Sequence, residues 1–479
     1  MASIKTLNAK NLETLGSKRL AALLMEVATG NAGIKRQLRL ALAGEAGPAD
    51  AAREIAKRLA TIAKARSLID WHKVKPLAAD LAAQHGAIMN LVAPHDPGAA
   101  LDLLWRLAAC AEPVFARSDD GSGRLADVFR AAVKDFGPVA NAARIDPAVL
   151  AERAFEAVQD DGYGTYDGLV DTLAPALGIS GLERLRALGL AWQARPVTVP
   201  PQAERGVVGW GSGGPMYADQ IDADHRKRTS ALLLQQVADA LGDVDAYIAQ
   251  YNPETRRVPL IAARIAERLL AAGRTDEAWE AIEATDSGRR GWLAPEWEQA
   301  RLAVLDALGR HDDAQEYRWE RFIATLDSGH LRAFLKNLPD FEDLEAEQRA
   351  IAHARGFADV HHALAFLVGW PALDRAAALV IDRADALDGD LYELLTPAAE
   401  ALEEKHPLAA TILRRAMINF TLGRARASRY GHAARHLASC AYLARRIAAF
   451  GPVADHDAYL ARLRQDHGRK VGFWREVAT

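Results

Sequence analysis

Ala272-Gly273-Arg274-Thr275-Asp276-Glu277-Ala278 is echoed by Leu308-Gly309-Arg310-His311-Asp312-Asp313-Ala314, and 36 residues separate the two glycines. Each phrase lies between two runs whose apolar residues recur at helical spacing. Pro259 to Ala272 precedes the first phrase, while Pro295 to Leu308 and Asp312 to Leu326 frame the second. Such a period is close to that of stacked helix hairpins of the tetratricopeptide type. One hairpin cannot bury its apolar face alone, so the spacing predicts a stack of helix pairs with a groove, here around residues 257–326. Thr275 is placed to cap the second arm of the first hairpin, with Asp276 and Glu277 favourable at its positive end.

Working outward, less regular units follow at 344–355 with 357–366, 373–386 with 391–404, and 408–422 with 429–450. Upstream, His225-Arg226-Lys227-Arg228 leads into helices at 229–241 and 245–251. Trp279, Trp292, Trp297, Trp319 and Trp370 read as aromatics that pack repeats together. In the first part of the chain the periodicity predicts helices over 11–28, 34–43, from Ala52, and over 74–90, 98–116, 123–136, 147–158, 166–176 and 180–193. Ala52, Ile55, Ala56, Leu59, Ile62 and Ala63 make one apolar face, with Pro48 and Asp50 as start signals. Alternating β patterns are nearly absent. The predicted fold is all-α: a helical-repeat solenoid with tetratricopeptide-like hairpins in the C-terminal half, preceded by an N-terminal helical domain.

One stretch cannot continue a helix. Pro196, Pro200 and Pro201 give way to Gly206, Gly209, Gly211, Gly213, Gly214 and Pro215. The predicted organisation is therefore an N-terminal helical domain at 1–194, a Pro/Gly-rich ordered loop or linker at 195–228, and a repeat domain at 229–479 with basic C-terminal helices. Val207, Val208, Trp210, Met216 and Tyr217 are too apolar for a solvated linker, so the segment is expected to be an ordered excursion packed on a helical surface. Its Gly-x-Gly-x-x-Gly, at Gly209, Gly211 and Gly214, meets Pro215 where a dinucleotide fingerprint needs a helix to open, and no βαβ pattern surrounds it.

Composition narrows the class further. The 479 residues are 50% hydrophobic and 25% charged, ample for a large core, and carry a net charge of −4. That mean conceals basic ends on an acidic body: +8 over residues 1–75, +9 over 411–479, and −21 between them. The ends either balance the body intramolecularly or face an acidic partner. No apolar run is long enough to span a membrane, and Lys5 and Lys10 are not followed by the apolar core of a signal peptide, so a cytoplasmic location is expected. Two cysteines, Cys110 and Cys440, are too few for a disulfide framework and read as reduced and structural.

Chemistry-bearing motifs are sparse. His432, His436 and Cys440 share one helical face, but the first and last are about 12 Å apart along the axis, too far for one metal ion. The histidines read as structural. His361-His362 and Asp455-His456-Asp457 have no partners in sequence, and no nucleophile elbow or cysteine signature occurs. The expectation is no catalytic residues, no cofactor and no metal.

Several stretches resemble an uncharacterised, largely proteobacterial family of α-helical proteins. They are Leu7 to Leu12, Leu15-Gly16, Arg19-Leu20-Ala21, Lys35 to Leu40, Ile69-Asp70-Trp71, Val208 to Tyr217, Leu241 to Asp245, and Arg429 to Leu437. The resemblance implies helical repeats and supplies no catalytic residues, because the family is a domain of unknown function.

Two function classes stay open, with an enzyme assembled from scattered residues third. The first is a non-enzymatic scaffold that holds a partner protein or peptide in the solenoid groove. The second is association with nucleic acid through Arg414, Arg415, Arg424, Arg426, Arg429, Arg435, Arg445 and Arg446, with Tyr430 and Tyr442 nearby for stacking. The candidate interaction surface comprises Trp210, Tyr217, the arginines Arg414, Arg415, Arg424, Arg426, Arg429 and Arg435, and His432 and His436. If the arginines share one exposed face the second class gains; if they pair with the acidic body it loses.

Overall fold

The repeated phrase folds the same way twice. Gly273 ends the helix Pro259–Ala271 with φ of 74°, donating to the Leu270 carbonyl at 2.9 Å while the Arg274 N–H reaches back to the Leu269 carbonyl at 2.8 Å. Gly309 ends Pro295–Ala307 with φ of 69°, and the matching bonds run to Asp306 at 3.1 Å and, from Arg310, to Leu305 at 2.9 Å. Both are Schellman closures, which need a left-handed residue that glycine supplies without a Cβ clash. The arginine after each glycine then reaches the acid three residues on: Arg274 to Glu277 at 2.6 Å and Arg310 to Asp313 at 2.5 Å. Thr275 does not cap: Thr275–Glu283 begins at it, and Arg274 holds the cap position without a side-chain bond to the helix.

The computed structural model describes residues 7–201, 204–211, 213–285 and 294–478. Trp292 lies outside them. The chain is all-α and built largely of consecutive helix hairpins, with one two-stranded sheet among the described residues. It forms two compact units, Met1–Arg301 and Leu302–Thr479, whose boundary falls inside the helix Pro295–Ala307.

The first unit has a continuous apolar core running from Ala51 to Val237. Pro48–Lys64 shows how its helices arise: Pro48 opens it, Asp50 lies in the first turn, and Ala51, Ile55, Leu59 and Ile62 are buried on one side. On another side Arg58 pairs with Asp80 of the next helix, Trp71–Ala87, at 2.6 Å. Not every helix is so well covered. Gly16–Ala28 buries only Ala28, and a break at Thr14-Leu15 divides the single helix expected at 11–28. The helix expected at 123–136 runs on through Gly137-Pro138 as Arg124–Ala143, and those expected at 166–176 and 180–193 join as Leu169–Gln193 across a kink at Gly178.

Ala218–Leu241 runs through the end of the expected linker and sends Leu233 and Val237 into this core. What remains of the Pro/Gly-rich segment is an antiparallel hairpin, Val207–Gly211 with Gly214–Tyr217. Its glycines and alternating apolar residues hide a β pattern too short for periodicity to reveal.

The second unit centres on Phe322, Leu364, Leu367, Leu395, Leu413 and their neighbours, with a smaller cluster around Ile418, Leu437, Cys440, Tyr459 and Phe473. Trp319 and Trp370 pack at the rim of the larger cluster. Tyr430–Ala444 ends sooner than the expected 450, and two further helices, His456–His467 and Val471–Ala478, complete the unit.

Because Gly309 is left-handed, Gly309→Ala is expected to lower unfolding free energy by about 1–2 kcal/mol. Gly162→Ala, in open space with an ordinary φ, should change it by less than about 0.5 kcal/mol. Urea denaturation of the two variants checks this.

Candidate functional site

The basic C-terminal segment does not present one cationic face. Arg414 and Arg415 follow each other in Pro407–Gly423 and are 5% and 6% exposed. Arg414 pairs with the Glu403 carboxylate. Arg415 donates to the Ala454 carbonyl at 2.6 Å and to that of Asp455 at 3.3 Å, with its guanidinium 4.2 Å from the centre of the Tyr459 ring. Burial pulls the Arg415 pKa down; the two carbonyls and the Tyr459 ring offset part of that cost, while Nε is buried without an acceptor among the described residues. Placing these two on an interaction surface is therefore corrected: both hold helices together. Arg424 and Arg426 are exposed in the turn after the helix. Arg446 donates to the Glu404 carbonyl at 2.5 Å, while Arg445 and Tyr442 are exposed. Tyr430 packs edge-on against Phe473.

Arg429, His432 and His436 do converge. They line a cavity of about 170 Å³ together with Tyr392, Thr421 and Ser428. Tyr392–Leu402 supplies one wall, Pro407–Gly423 the floor, and the first turns of Tyr430–Ala444 the rest. Arg429 bonds Asp390 at 2.6 Å and lies 4.6 Å from the centre of the Tyr392 ring, which fixes the guanidinium by charge and by its face.

The loop holding Asp390 is itself clamped. A Cβ on Gly389 would stand 2.1 Å from the Ala416 carbonyl oxygen, so only glycine lets the loop lie on the floor helix. The Asp388 N–H donates to His361 Nε2 at 2.8 Å. His361 stands at the start of Val360–Gly369, where Asp359 accepts the N–H groups of His361 and His362. Thus His361 has a partner that the sequence could not supply, 27 residues away. Asp390, Gly389 and His361 carry no local signature, and contact alone reveals them.

The histidines differ in setting. His432 is exposed, and its Nδ1 lies 2.9 Å from Arg435 Nη2. Arginine is always a donor, so Nδ1 accepts and the neutral ring keeps its proton on Nε2. His436 is half-buried. Burial first, then the positive charges of Arg414, His432 and Arg435, push its pKa down to about 4. Cys440 leaves the stripe for the core: it is fully buried, its Sγ faces the Thr411 carbonyl, and burial pushes its thiol up to about 11. Among the described residues neither histidine of the cavity bonds a serine, threonine or cysteine, so no nucleophile–base pair is formed.

Trp210 and Tyr217 sit on the hairpin of the first unit. Tyr217 is anchored by Arg205, whose guanidinium lies 3.7 Å from the ring centre and pairs with Asp219 at 2.9 Å. Trp210 is the opposite case, 78% exposed beside Val207, Val208 and Met216, which are also exposed. Val207, Val208, Trp210 and Met216 thus face outward in place of the expected packing on a helical surface, and Tyr217 is half-buried. Of the groove expected around 257–326, residues 286–293 lie outside the described residues.

The low pKa of His436 has a sign. An unfolded histidine takes its proton near pH 6.5, so between pH 6.5 and about 4 the unfolded chain binds more protons than the folded one. The contribution of His436 to stability is thus complete above pH 6.5 and diminishes as pH falls toward about 4. Urea midpoints measured across that window should fall less steeply for His436→Gln than for the unaltered protein, and imidazole NMR should place the midpoint well below 6.

No curated protein matches this sequence. Among solved structures, the chain aligns with a circular tandem repeat protein with novel repeat topology and enhanced subunit contact surfaces, at 13% identity over 98% of this chain and 94% of that one, with a TM-score of 0.16. The model of a family of unknown function, DUF6880, matches residues 2–476, nearly the whole chain, and the protein belongs to that family.

Proposed function

We propose that the protein is a non-enzymatic interaction scaffold, and that the hairpin Val207–Tyr217 is the element that docks a partner protein. The exposure of Trp210 carries this reading. An isolated two-stranded hairpin is marginal in water, and this one shows Val207, Val208, Trp210 and Met216 to solvent. A tryptophan set among such neighbours is the type of residue that dominates binding energy when a partner covers it. Each strand pairs only with the other among the described residues, so the outer edge of each offers backbone donors and acceptors. The occupant is therefore an extended apolar segment of a partner protein, added alongside a strand with Trp210 as its anchor.

The helix pair Pro259–Ala271 with Thr275–Glu283 supports a tetratricopeptide-like reading of that part of the body, which would serve as the frame on which the hairpin is carried. A cytoplasmic setting belongs to the same proposal: the two cysteines are free and buried, and no described helix is long and apolar enough to cross a membrane. The nucleic-acid alternative is the weaker, because Arg414, Arg415 and Arg429 are engaged within the fold.

A photo-cross-linking residue at position 210 tests the reading in extracts of the native host. The expected product is a discrete protein adduct that survives nuclease, and Trp210→Ala should reduce capture of that protein about tenfold or more while leaving the urea midpoint unchanged. Adducts only with nucleic acid, only with a second copy of this chain, or with a protein captured equally by a cross-linker at Met25 on the exposed amino-terminal helix would overturn it.

A further inference from the structure

The cavity of the second unit is independent of the hairpin, and its lining has a chemistry of its own. We propose that the space between Tyr392, Thr421, Ser428, Arg429, His432 and His436 is a binding site for an oxyanion of phosphate size, free or carried on a small molecule.

Size excludes most alternatives. At about 170 Å³ the cavity is below the range that encloses a whole drug-sized ligand, yet it exceeds by several-fold the space one water needs. A single polar group fits. The lining then decides its sign. Among the described residues it contains an arginine, two histidines and the side chains of Ser428, Thr421 and Thr396, and no carboxylate. Asp390 stands behind Arg429 and engages Nη1, leaving the other N–H groups of that guanidinium without a protein acceptor among the described residues. His432 Nε2 carries a proton because Nδ1 accepts from Arg435. The two arginines that act on His436, Arg414 and Arg435, are cationic. The field in the cavity is therefore positive.

Backbone geometry adds to this. The fifteen-residue helix Tyr430–Ala444 opens at the cavity with Arg429 at its cap position, and no side chain caps it. The Tyr430 N–H donates to the Ala427 carbonyl, and the positive end of the helix dipole still favours an anion there. Preorganisation is visible as well. His361 holds the Asp388 N–H, Gly389 presses the loop onto the floor, and Asp390 with Tyr392 fixes Arg429 before any ligand arrives. A guanidinium held in one orientation is suited to paired bonds with two oxygens of one oxyanion.

The test is titration of the full chain with inorganic phosphate, followed by calorimetry and by imidazole NMR of His432 and His436. A saturable one-to-one isotherm is expected, with both imidazoles shifting in step with the heat. Arg429→Gln should weaken it about tenfold or more, and Arg445→Gln, an exposed arginine outside the cavity, should leave it unchanged. Should Arg429→Gln unfold the unit, His432→Gln at the exposed position gives the same readout. Repeating the titration with phenyl phosphate separates the two sources of the group: tighter binding than inorganic phosphate assigns an esterified ligand, and exclusion of the ester assigns the free ion. No saturation by roughly 20 mM, or equal weakening by Arg445→Gln and Arg429→Gln, overturns the proposal.

Discussion

A guanidinium taken out of water needs acceptors, and those that answer Arg414 and Arg415 organise the C-terminal unit, although Arg414 Nη1 and Arg415 Nε are buried without a partner among the described residues. Arg414 and Arg415 point from consecutive positions of one helix into its interior, where Glu403 answers one and the backbone carbonyls of Ala454 and Asp455 answer the other. Charge-assisted bonds of this kind tolerate little displacement, so the segment around 454–455 and the helix His456–His467 behind it are located by Arg415. Tyr459 closes the arrangement, giving its ring to Arg415 and its hydroxyl to Asn419 at 2.8 Å. The cavity of the unit then forms on the same floor helix, with its own arginine held by Asp390.

Much of the fold was legible because it is written locally. The phrase around Gly273 and the one around Gly309 specify a left-handed glycine, an arginine and an acid three residues on, and both turns obey that grammar. Helical periodicity with proline and aspartate start signals located Pro48–Lys64 for the same reason. The hairpin escaped because its strands are short and its glycines read as breakers. The candidate cavity was half legible. Arg429, His432 and His436 were visible as a basic and histidine-rich helix start, whereas Gly389, Asp390 and His361 come from distant segments whose only signature is contact. Charge counting misled most where burial intervened: Arg414 and Arg415 contribute fully to a sequence sum and scarcely at all to the surface.

With those arginines inside, two features stand apart from the work of stabilising the fold. One is an apolar hairpin that projects Trp210 without covering it; the other is a small cationic cavity that, among the described residues, holds no carboxylate in its lining. They lie in different compact units and call on different physics, burial of an aromatic surface in one and charge with preorganised donors in the other. A protein that docks a partner at one unit and holds an anionic group at the other needs no catalytic residue to be useful, and its sequence would look much like this one.

The central claim is that the C-terminal arginines are internal supports rather than a recognition surface. The most direct measurement is the unfolding free energy of Arg415→Ala by urea denaturation. The account predicts a loss of about 2 kcal/mol or more, from two charge-assisted bonds and the cation–π contacts with Phe450 and Tyr459 removed together. An Arg415→Ala protein as stable as the original would contradict it and return Arg415 to the surface.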